Sequence, residues 1–464
     1  MTQDLVVDQA LPPGLLLAYY GDDFTGSTDA MQALAAAGLP TLLCLRPPTP
    51  ELLARFPGVR CVGLAGDARG RGTDWMDREL PAAFASLAAL GAPLLHYKIC
   101  STFDSSPDTG SIGRAIDLGA PQMPGRWVPL IVGVPSLGRY QVFGNLFAVA
   151  DGAGHRLDRH PTMSRHPVTP MDEADVRRHL ARQTPRRLAL IDMLQLREGR
   201  AADCLQSLLA GEDLPVVALD VLDEQTVREV GRLVWEQRGA GLFCAASSGL
   251  QYALVAYWRS RGWLPEAGGL PQAWPVPLIA GVSGSCSPVT ARQIAWARQH
   301  GFHVERLDLQ CVLDPHRRDA QVRRAVAAAV QALEQGRSAL ICSAEGPDDP
   351  AVRGFDAMAA AAGLQRPAAA RQVGQALAAA MRGMLAGGRV RRVVVAGGDS
   401  SGEVAGALGM EALQAVAQLA PGAPLCRAHG SYPGSDPAID GLEIVLKGGQ
   451  MGGEAFFGQV RDGG

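Results

Sequence analysis

A chain of 464 residues is longer than a single hydrophobic core usually grows, so two domains are expected. Its 47% hydrophobic and 19% charged residues describe a globular protein, and a net charge of −3 gives no electrostatic pull toward nucleic acid or an acidic membrane. Aromatic residues, at 5%, are too sparse for base-stacking platforms, and no apolar run approaches the roughly 20 residues needed to span a bilayer.

The first stretch, MTQDLVVDQALPPG, has neither a basic leader nor a long apolar segment and does not read as a secretory signal. The nine cysteines are scattered, without C-x-x-C or zinc-type spacing, and most sit in apolar runs as reduced core residues. The cytoplasm is the expected compartment.

Apolar runs then alternate with helix-period segments. The predicted strands of the first half are 15-LLLAYY-20, 41-TLLCL-45, 59-VRCVGLAG-66, 94-LLHYKI-99, 128-VPLIVGV-134, 187-RLALIDM-193, 215-PVVALDV-221 and 242-LFCAAS-247. Those of the second half are 276-VPLIAGVS-283, 338-SALICS-343, 391-RRVVVAG-397 and 442-LEIVLK-447. Segments 171–183, 223–238 and 319–336 are amphipathic, and Ala-rich 357–381 reads as one helix. Such alternation predicts α/β architecture: two α/β domains with mainly parallel sheets. The Pro- and Gly-rich stretch 263–275 reads as the linker between domains 1–262 and 276–464.

Open α/β sheets bind ligands at the carboxyl ends of their strands, so the residues that follow each run carry the functional reading. After the first strand, 21-GDDFTGSTDA-30 places two adjacent carboxylates, Asp22 and Asp23, ahead of a helix. Capping accounts for one of them; the other is available to a polyol hydroxyl or as a general base. Next, 98-KICSTFDSSPDTGSIG-113 offers an ammonium at Lys98 for a carboxylate, with Ser101, Asp104 and Ser105 for hydroxyls. Taken alone, that loop is also an ordinary polar turn.

Three loops of the second half share another character. In 281-GVSGSCSPVTARQ-293, glycines permit close backbone approach beside Ser283, Ser285 and Ser287, although Ser287 before Pro288 is also a good helix cap. In 396-AGGDSSGEVAGALG-409, Gly397, Gly398 and Gly402 surround Asp399, Ser400 and Ser401 at a helix start, a pattern that cradles phosphate. In 446-LKGGQMGG-453, Lys447 stands before glycines that include Gly449. Lysine is rare here: of 43 Lys+Arg only Lys98 and Lys447 are lysines, and both lie at the carboxyl ends of predicted strands. There is no G-x-x-x-x-G-K-[ST], no G-x-G-x-x-G after a strand and no H-E-x-x-H, which argues against P-loop, Rossmann and zincin chemistry.

Together these loops resemble the four-carbon acid sugar kinase family, with its sugar-binding N-terminal and nucleotide-binding C-terminal domains. GDDFTGSTDA is similar to that family's D-D-F-T-G start, and KICSTFDSS to the form in its 3-oxo-tetronate kinase branch. SGSCSPVT, GGDSSG and LKGGQMGG resemble its second-domain motifs. The resemblance implies an ATP- and Mg²⁺-dependent kinase phosphorylating a hydroxyl of a four-carbon sugar acid in a cleft between the domains. It implies substrate contacts at Asp22, Asp23, Thr25, Lys98, Ser101, Asp104 and Ser105, with Asp22, Asp23 or Asp104 as catalytic base. ATP would meet Ser283, Ser285, Ser287, Gly397, Gly398, Asp399, Ser400, Lys447 and Gly449. The expected partners are the sugar acid and ATP, with neither nucleic acid nor membrane; self-association stays open. Departures are Ser400 for the family Thr, Gly448–Gly452 in the last loop, 135-PSLGRYQ-141, and an extra segment at 429–441. Two other readings remain: a ribokinase-like kinase with Asp399 as base, and a non-catalytic sugar-acid or nucleotide sensor.

Overall fold

The computed structural model describes residues 9–150, 152–166, 168–266, 268–420, 422–430 and 439–463, with Asp399 described by its backbone alone. Most of the extra segment, 431–438, therefore lies outside the described residues. The chain separates into two compact units, Met1–Gly268 and Gly269–Gly464. Among the described residues no helix is long and apolar enough to cross a membrane.

The first unit is built on eight strands in the order Thr41–Cys44, Cys61–Ala65, Leu17–Gly21, Leu94–Lys98, Leu242–Ala246, Val128–Ile131, Val216–Leu219 and Leu188–Ile191. Every neighbouring pair is parallel. Continuous apolar runs fit this arrangement because a parallel sheet is covered on both faces; Leu17, Tyr19, Leu42 and Leu94 are all fully buried. Phe84, from helix Thr73–Ala88, makes edge contacts with Tyr20, Tyr97 and Phe243 at ring distances of 5.8, 5.9 and 5.5 Å, which seats that helix on the strands. The chain leaves Leu17–Gly21 toward one side of the sheet and reaches Leu94–Lys98 on the other. The crevice of such a sheet opens where the order reverses, at the carboxyl ends of these two strands.

A small antiparallel sheet, Arg139–Val142, Asn145–Ala150 and Ala153–Arg156, was not expected from the sequence. Its first turn needs positive φ at Phe143 (48°) and Gly144 (77°). Buried Asp220 accepts from the backbone N–H groups of Phe143, Gly144 and Met193 at 2.5, 2.9 and 3.1 Å, which pins the turn.

The second unit runs His303–Arg306, Ala339–Cys342, Ala280–Ser283, Arg392–Ala396 and Glu443–Lys447 in parallel, then Ala423–His429 and Ala412–Ala420 antiparallel. Here the order reverses between Ala280–Ser283 and Arg392–Ala396. The Ala-rich stretch is two helices, Phe355–Ala361 and Arg366–Leu385. Gly363 at φ 70° and Pro367 in the first turn of the second helix separate them.

Candidate active-site loops

In the first unit Gly21 and Lys98 face each other across parallel strands, and the Asp22 N–H donates to the Lys98 carbonyl at 2.9 Å. This sets the two polar loops side by side. Asp23 caps helix Phe24–Ala36 by accepting from the Gly26 N–H at 2.8 Å. Asp22 is 2% exposed and does not cap.

Both carboxylates are gripped by a residue the sequence reading missed. Arg69 donates from Nη2 and Nε to the two Asp22 oxygens at 2.7 and 3.1 Å, and from Nη1 and Nη2 to the two Asp23 oxygens at 2.8 and 2.9 Å. Burial pushes the Asp22 carboxyl up, against the opposing pull of Arg69. Burial also works against the Arg69 charge, but Asp22 and Asp23 hold its pKa well above the ordinary value. The signal was present: 67-DARGR-71 follows Cys61–Ala65, the strand beside Leu17–Gly21.

Lys98 is 3% exposed, and its Nζ donates to the Ile99 carbonyl at 3.0 Å. A Cβ on Gly26 would stand 2.4 Å from Asp23 Oδ1, 2.9 Å from Lys98 Nζ and 3.7 Å from Arg69 Nη2, so three charged groups converge on a position only glycine leaves open. Along the neighbouring loop, Asp104 Oδ1 accepts from the Thr102 hydroxyl at 2.7 Å, and that hydroxyl lies 2.9 Å from Cys100 Sγ. Asp104, Ser101 and Thr25 are half-buried.

Ser105 faces elsewhere. It is 1% exposed, donates to the Phe103 carbonyl at 2.9 Å, lies 3.1 Å from His179 Nε2 and accepts from Gln183 Nε2 at 3.0 Å. Phe103 holds φ of 60° and packs on the His179 ring at 5.4 Å. Ser105 thus anchors a left-handed backbone position one residue before Asp104, a conformation that bulky residues adopt only when held.

In the second unit, Lys447, Ala396 and Ser283 stand in register across adjacent parallel strands, which brings the three glycine loops together. Ser285 is their meeting point. A Cβ on Gly397 (φ 124°) would lie 3.3 Å from the Ser285 nitrogen, and one on Gly449 would lie 2.7 Å from Ser285 Oγ and 3.0 Å from Ser287 Cβ. A Cβ on Gly284 would stand 2.0 Å from Ser400 Oγ. Ser287 caps helix Pro288–Gln299, and Gly398 opens helix Gly398–Ala407 with Gly397 as its cap. Ser283 Oγ accepts from the Ser285 N–H at 3.4 Å. The Asp399 side chain lies outside the described residues.

Lys447 is fully buried, and its Nζ donates to the Thr290 hydroxyl at 3.1 Å and the Gly448 carbonyl at 3.0 Å, 5.6 Å from the Phe456 ring centre. Burial alone draws its pKa down to about 8. Thr290 in turn donates to the Gly449 carbonyl at 2.9 Å, and Gln293 Nε2 donates to the carbonyls of Met451, Gly452 and Gly453 at 2.9, 3.1 and 2.9 Å. These bonds fix the last loop through its carbonyls. Among the described residues, no three His, Cys, Asp or Glu side chains gather as a metal-holding group.

A family model described as a sugar-binding N-terminal domain matches residues 17–254, and one described as a nucleotide-binding C-terminal domain matches residues 280–457. The chain is 66% identical over 454 residues to the 3-oxo-isoapionate kinase of Paraburkholderia graminis, which covers 98% of this chain and 96% of that protein. It is 33% identical over 451 residues to the 3-oxo-tetronate kinase of Methylobacterium radiotolerans, covering 97% and 99%. A crystal structure from Salmonella typhimurium LT2 matches with a TM-score of 0.76 at 25% identity, over 96% of this chain and 98% of that one. With both halves matched and kinases aligned along nearly its whole length, the chain belongs to the four-carbon acid sugar kinase family and is an enzyme of that family.

Proposed function

We propose that this kinase transfers the γ-phosphoryl group of ATP to a hydroxyl of a small 3-oxo sugar acid, with 3-oxo-isoapionate ahead of 3-oxo-tetronate. The 66% identity to the 3-oxo-isoapionate kinase supports that order of preference. The chemistry of the first unit agrees with a hydroxylated anion. Lys98 would take the substrate carboxylate, and the Thr102–Asp104 loop, with Ser101 and Thr25, would take its hydroxyls.

Transfer joins the hydroxyl oxygen to the γ-phosphorus as the bond to the β-phosphate oxygen breaks, so ADP leaves and the hydroxyl proton must go to a base. Asp104 is our choice for that base because it is half-buried and its described partner is a neutral hydroxyl. Asp22 and Asp23 have their oxygens committed to Arg69 and would act by holding that guanidinium near the substrate. In the second unit, Ser283, Ser285, Ser287, Gly397, Gly398, Ser400, Lys447 and Gly449 would cradle the nucleotide's phosphates through backbone amides, hydroxyls and one ammonium. Mg²⁺ would enter on those phosphates, its usual route where few carboxylates are offered, and would neutralise charge as it develops.

The test is an ADP-release assay over 3-oxo-isoapionate, 3-oxo-tetronates and their unoxidised acids. The highest kcat/KM is expected with 3-oxo-isoapionate. Equal turnover of oxidised and unoxidised acids would remove the 3-oxo preference, and no release with any of them would remove the substrate class.

A further inference from the structure

The loop from Lys98 to Ser111 carries Ser101, Thr102 and Asp104, and a segment distant in sequence fastens it from behind. Helix Val176–Leu180, capped by Asp175, presents His179, and Gln183 follows four residues later. Both side chains reach Ser105.

A hydroxyl has one proton and two lone pairs. The Ser105 proton goes to the Phe103 carbonyl at 2.9 Å, and one lone pair accepts from Gln183 Nε2 at 3.0 Å. His179 Nε2, 3.1 Å from the Ser105 hydroxyl and 3.1 Å from the Ser105 carbonyl, therefore approaches as a donor. That count assigns the proton of the neutral ring to Nε2. It leaves Nδ1, buried without a hydrogen-bond partner among the described residues, as the bare nitrogen. Burial favours the neutral ring by drawing the His179 pKa down.

Gln183 grips at its other end too. Its Oε1 accepts from the Gly113 N–H at 3.1 Å and from the Ser111 hydroxyl at 3.5 Å, and a Cβ on Gly113 would stand 2.6 Å from Gln183. Ser111 caps helix Ile112–Gly119, and Thr184 reaches the same helix by donating to Asp117 Oδ1 at 3.0 Å. The segment thus holds the loop both at Ser105 and where the helix begins. Anchoring the loop to the fold needs only the second of these. The first acts on Phe103 and Asp104. Phe103 is fully buried with φ of 60°, a backbone setting that a bulky residue keeps only when held. Relaxing it to negative φ would turn the chain between Thr102 and Asp104 and part the 2.7 Å bond between their side chains.

We propose that His179 and Gln183 are positioning residues for phosphoryl transfer: acting through Ser105, they hold Phe103 left-handed and so aim the Asp104 carboxylate at the hydroxyl to be phosphorylated. The proposal rests on Asp104 as the base. Neither residue touches the substrate, so their effect belongs in kcat. Misplacing a reacting group by about 1 Å can cost on the order of a hundredfold in rate.

The test is steady-state ADP release by the full-length protein with 3-oxo-isoapionate, alongside calorimetry with ADP. His179→Leu, which deletes the donor, and Ser105→Ala, which deletes its acceptor with little change in volume, should each lower kcat at least about tenfold. The sugar-acid KM should move less, and ADP affinity should stay at wild type. His179→Gln returns an N–H toward Ser105 and should recover most of the lost kcat. In an Asp104→Asn background His179→Leu should cost little more, since a base that is gone cannot be misplaced. Wild-type kcat in whichever of His179→Leu and Ser105→Ala folds overturns the proposal. So does a His179→Gln variant no faster than His179→Leu, or a full additional loss on top of Asp104→Asn. A raised sugar-acid KM at unchanged kcat in Ser105→Ala would return Ser105 to the substrate and overturn it as well. Asp104→Asn at wild-type kcat is a different failure: it removes the base assignment, and the proposal falls with it.

Discussion

Lys98 and Lys447 occupy equivalent places in their units, each the last residue of a parallel strand and each at most 3% exposed. Their surroundings are opposite. Lys98 stands beside Arg69, Asp22 and Asp23, so its neighbourhood is crowded with fixed charges of both signs. Lys447 stands among a threonine hydroxyl, a carbonyl and a phenyl ring. The difference fits two kinds of anion. A sugar acid has one carboxylate and several hydroxyls to be told apart, which needs directional side chains on rigid loops. A polyphosphate presents many equivalent oxygens, which backbone amides on glycine turns can hold with little side-chain chemistry.

The comparison breaks first if the carboxylates of the first unit do no chemistry. Asp104→Asn keeps the shape of the side chain and the Thr102 bond but cannot take a proton. It should lower kcat by about 10²- to 10⁴-fold with ADP affinity unchanged. Asp22→Asn should act through Arg69 and therefore raise the sugar-acid KM more than it lowers kcat. Steady-state kinetics on both variants decides; a larger kcat loss at Asp22 would make that residue the base.

The second unit is sharpened by a substitution that touches no charge. Gly397 holds φ of 124° beside the Ser285 nitrogen, so Gly397→Val should strain the turn and occupy the space a phosphate oxygen needs. ADP binding is expected to fall about a hundredfold or more, near 3 kcal/mol. The first unit should keep its sugar-acid affinity, measured by calorimetry on the same sample.

Each lysine should be separable by ligand. Removing a charge-assisted contact costs about 1.5–3 kcal/mol, roughly ten- to a hundredfold. Lys98→Ala should weaken the sugar acid by that factor and leave ATP alone, and Lys447→Ala should do the reverse. Lys98→Arg keeps the charge but cannot fit where Gly26 and Arg69 already crowd the ammonium, so a loss of sugar-acid binding is expected there too.

Much of this was readable in the chain. The apolar runs ending at Gly21, Lys98, Ser283, Ala396 and Lys447 are strands, because a stretch such as 391-RRVVVAG-397 has no polar face to offer and must be buried on both sides. The loops after them carry the candidate site. What stayed hidden depends on contacts distant in sequence. Arg69 looks like a solvated cation in an R-G-R-G turn, and only the parallel pairing of Cys61–Ala65 with Leu17–Gly21 brings it to the aspartates. Ser105 reads as a hydroxyl for substrate until His179 and Gln183, over seventy residues away, are seen to claim it. Ala412–Ala420 has a helix former's composition and is nevertheless a strand, since pairing with Ala423–His429 outweighs local preference. The outer strands of the small sheet, Arg139–Val142 and Ala153–Arg156, are partly exposed and offered no apolar run, whereas 145-NLFAVA-150 between them is apolar and was passed over.

The smallest effect is also the one with a sign that cannot be guessed from contacts alone. Lys447 has its pKa drawn from 10.5 down to about 8 by burial. Between those values the unfolded chain carries a proton that the folded chain has lost, so the ligand-free protein should gain stability as pH rises through the window from about 8 to 10.5. Nucleotide binding should run the other way. A phosphate beside Nζ favours the ammonium, so above pH 8 binding requires proton uptake and the ATP KM should climb, by at most about tenfold per pH unit, while staying flat below 8. The sugar-acid KM should show no rise that depends on Lys447. Lys447→Met, which fills the same space without a titrating group, should flatten both profiles: weaker ATP binding without that alkaline slope, and apo stability without the gain between pH 8 and 10.5. An ATP KM that climbs as steeply in Lys447→Met as in the wild type would assign the titration to another group and take the ammonium out of the phosphate cradle.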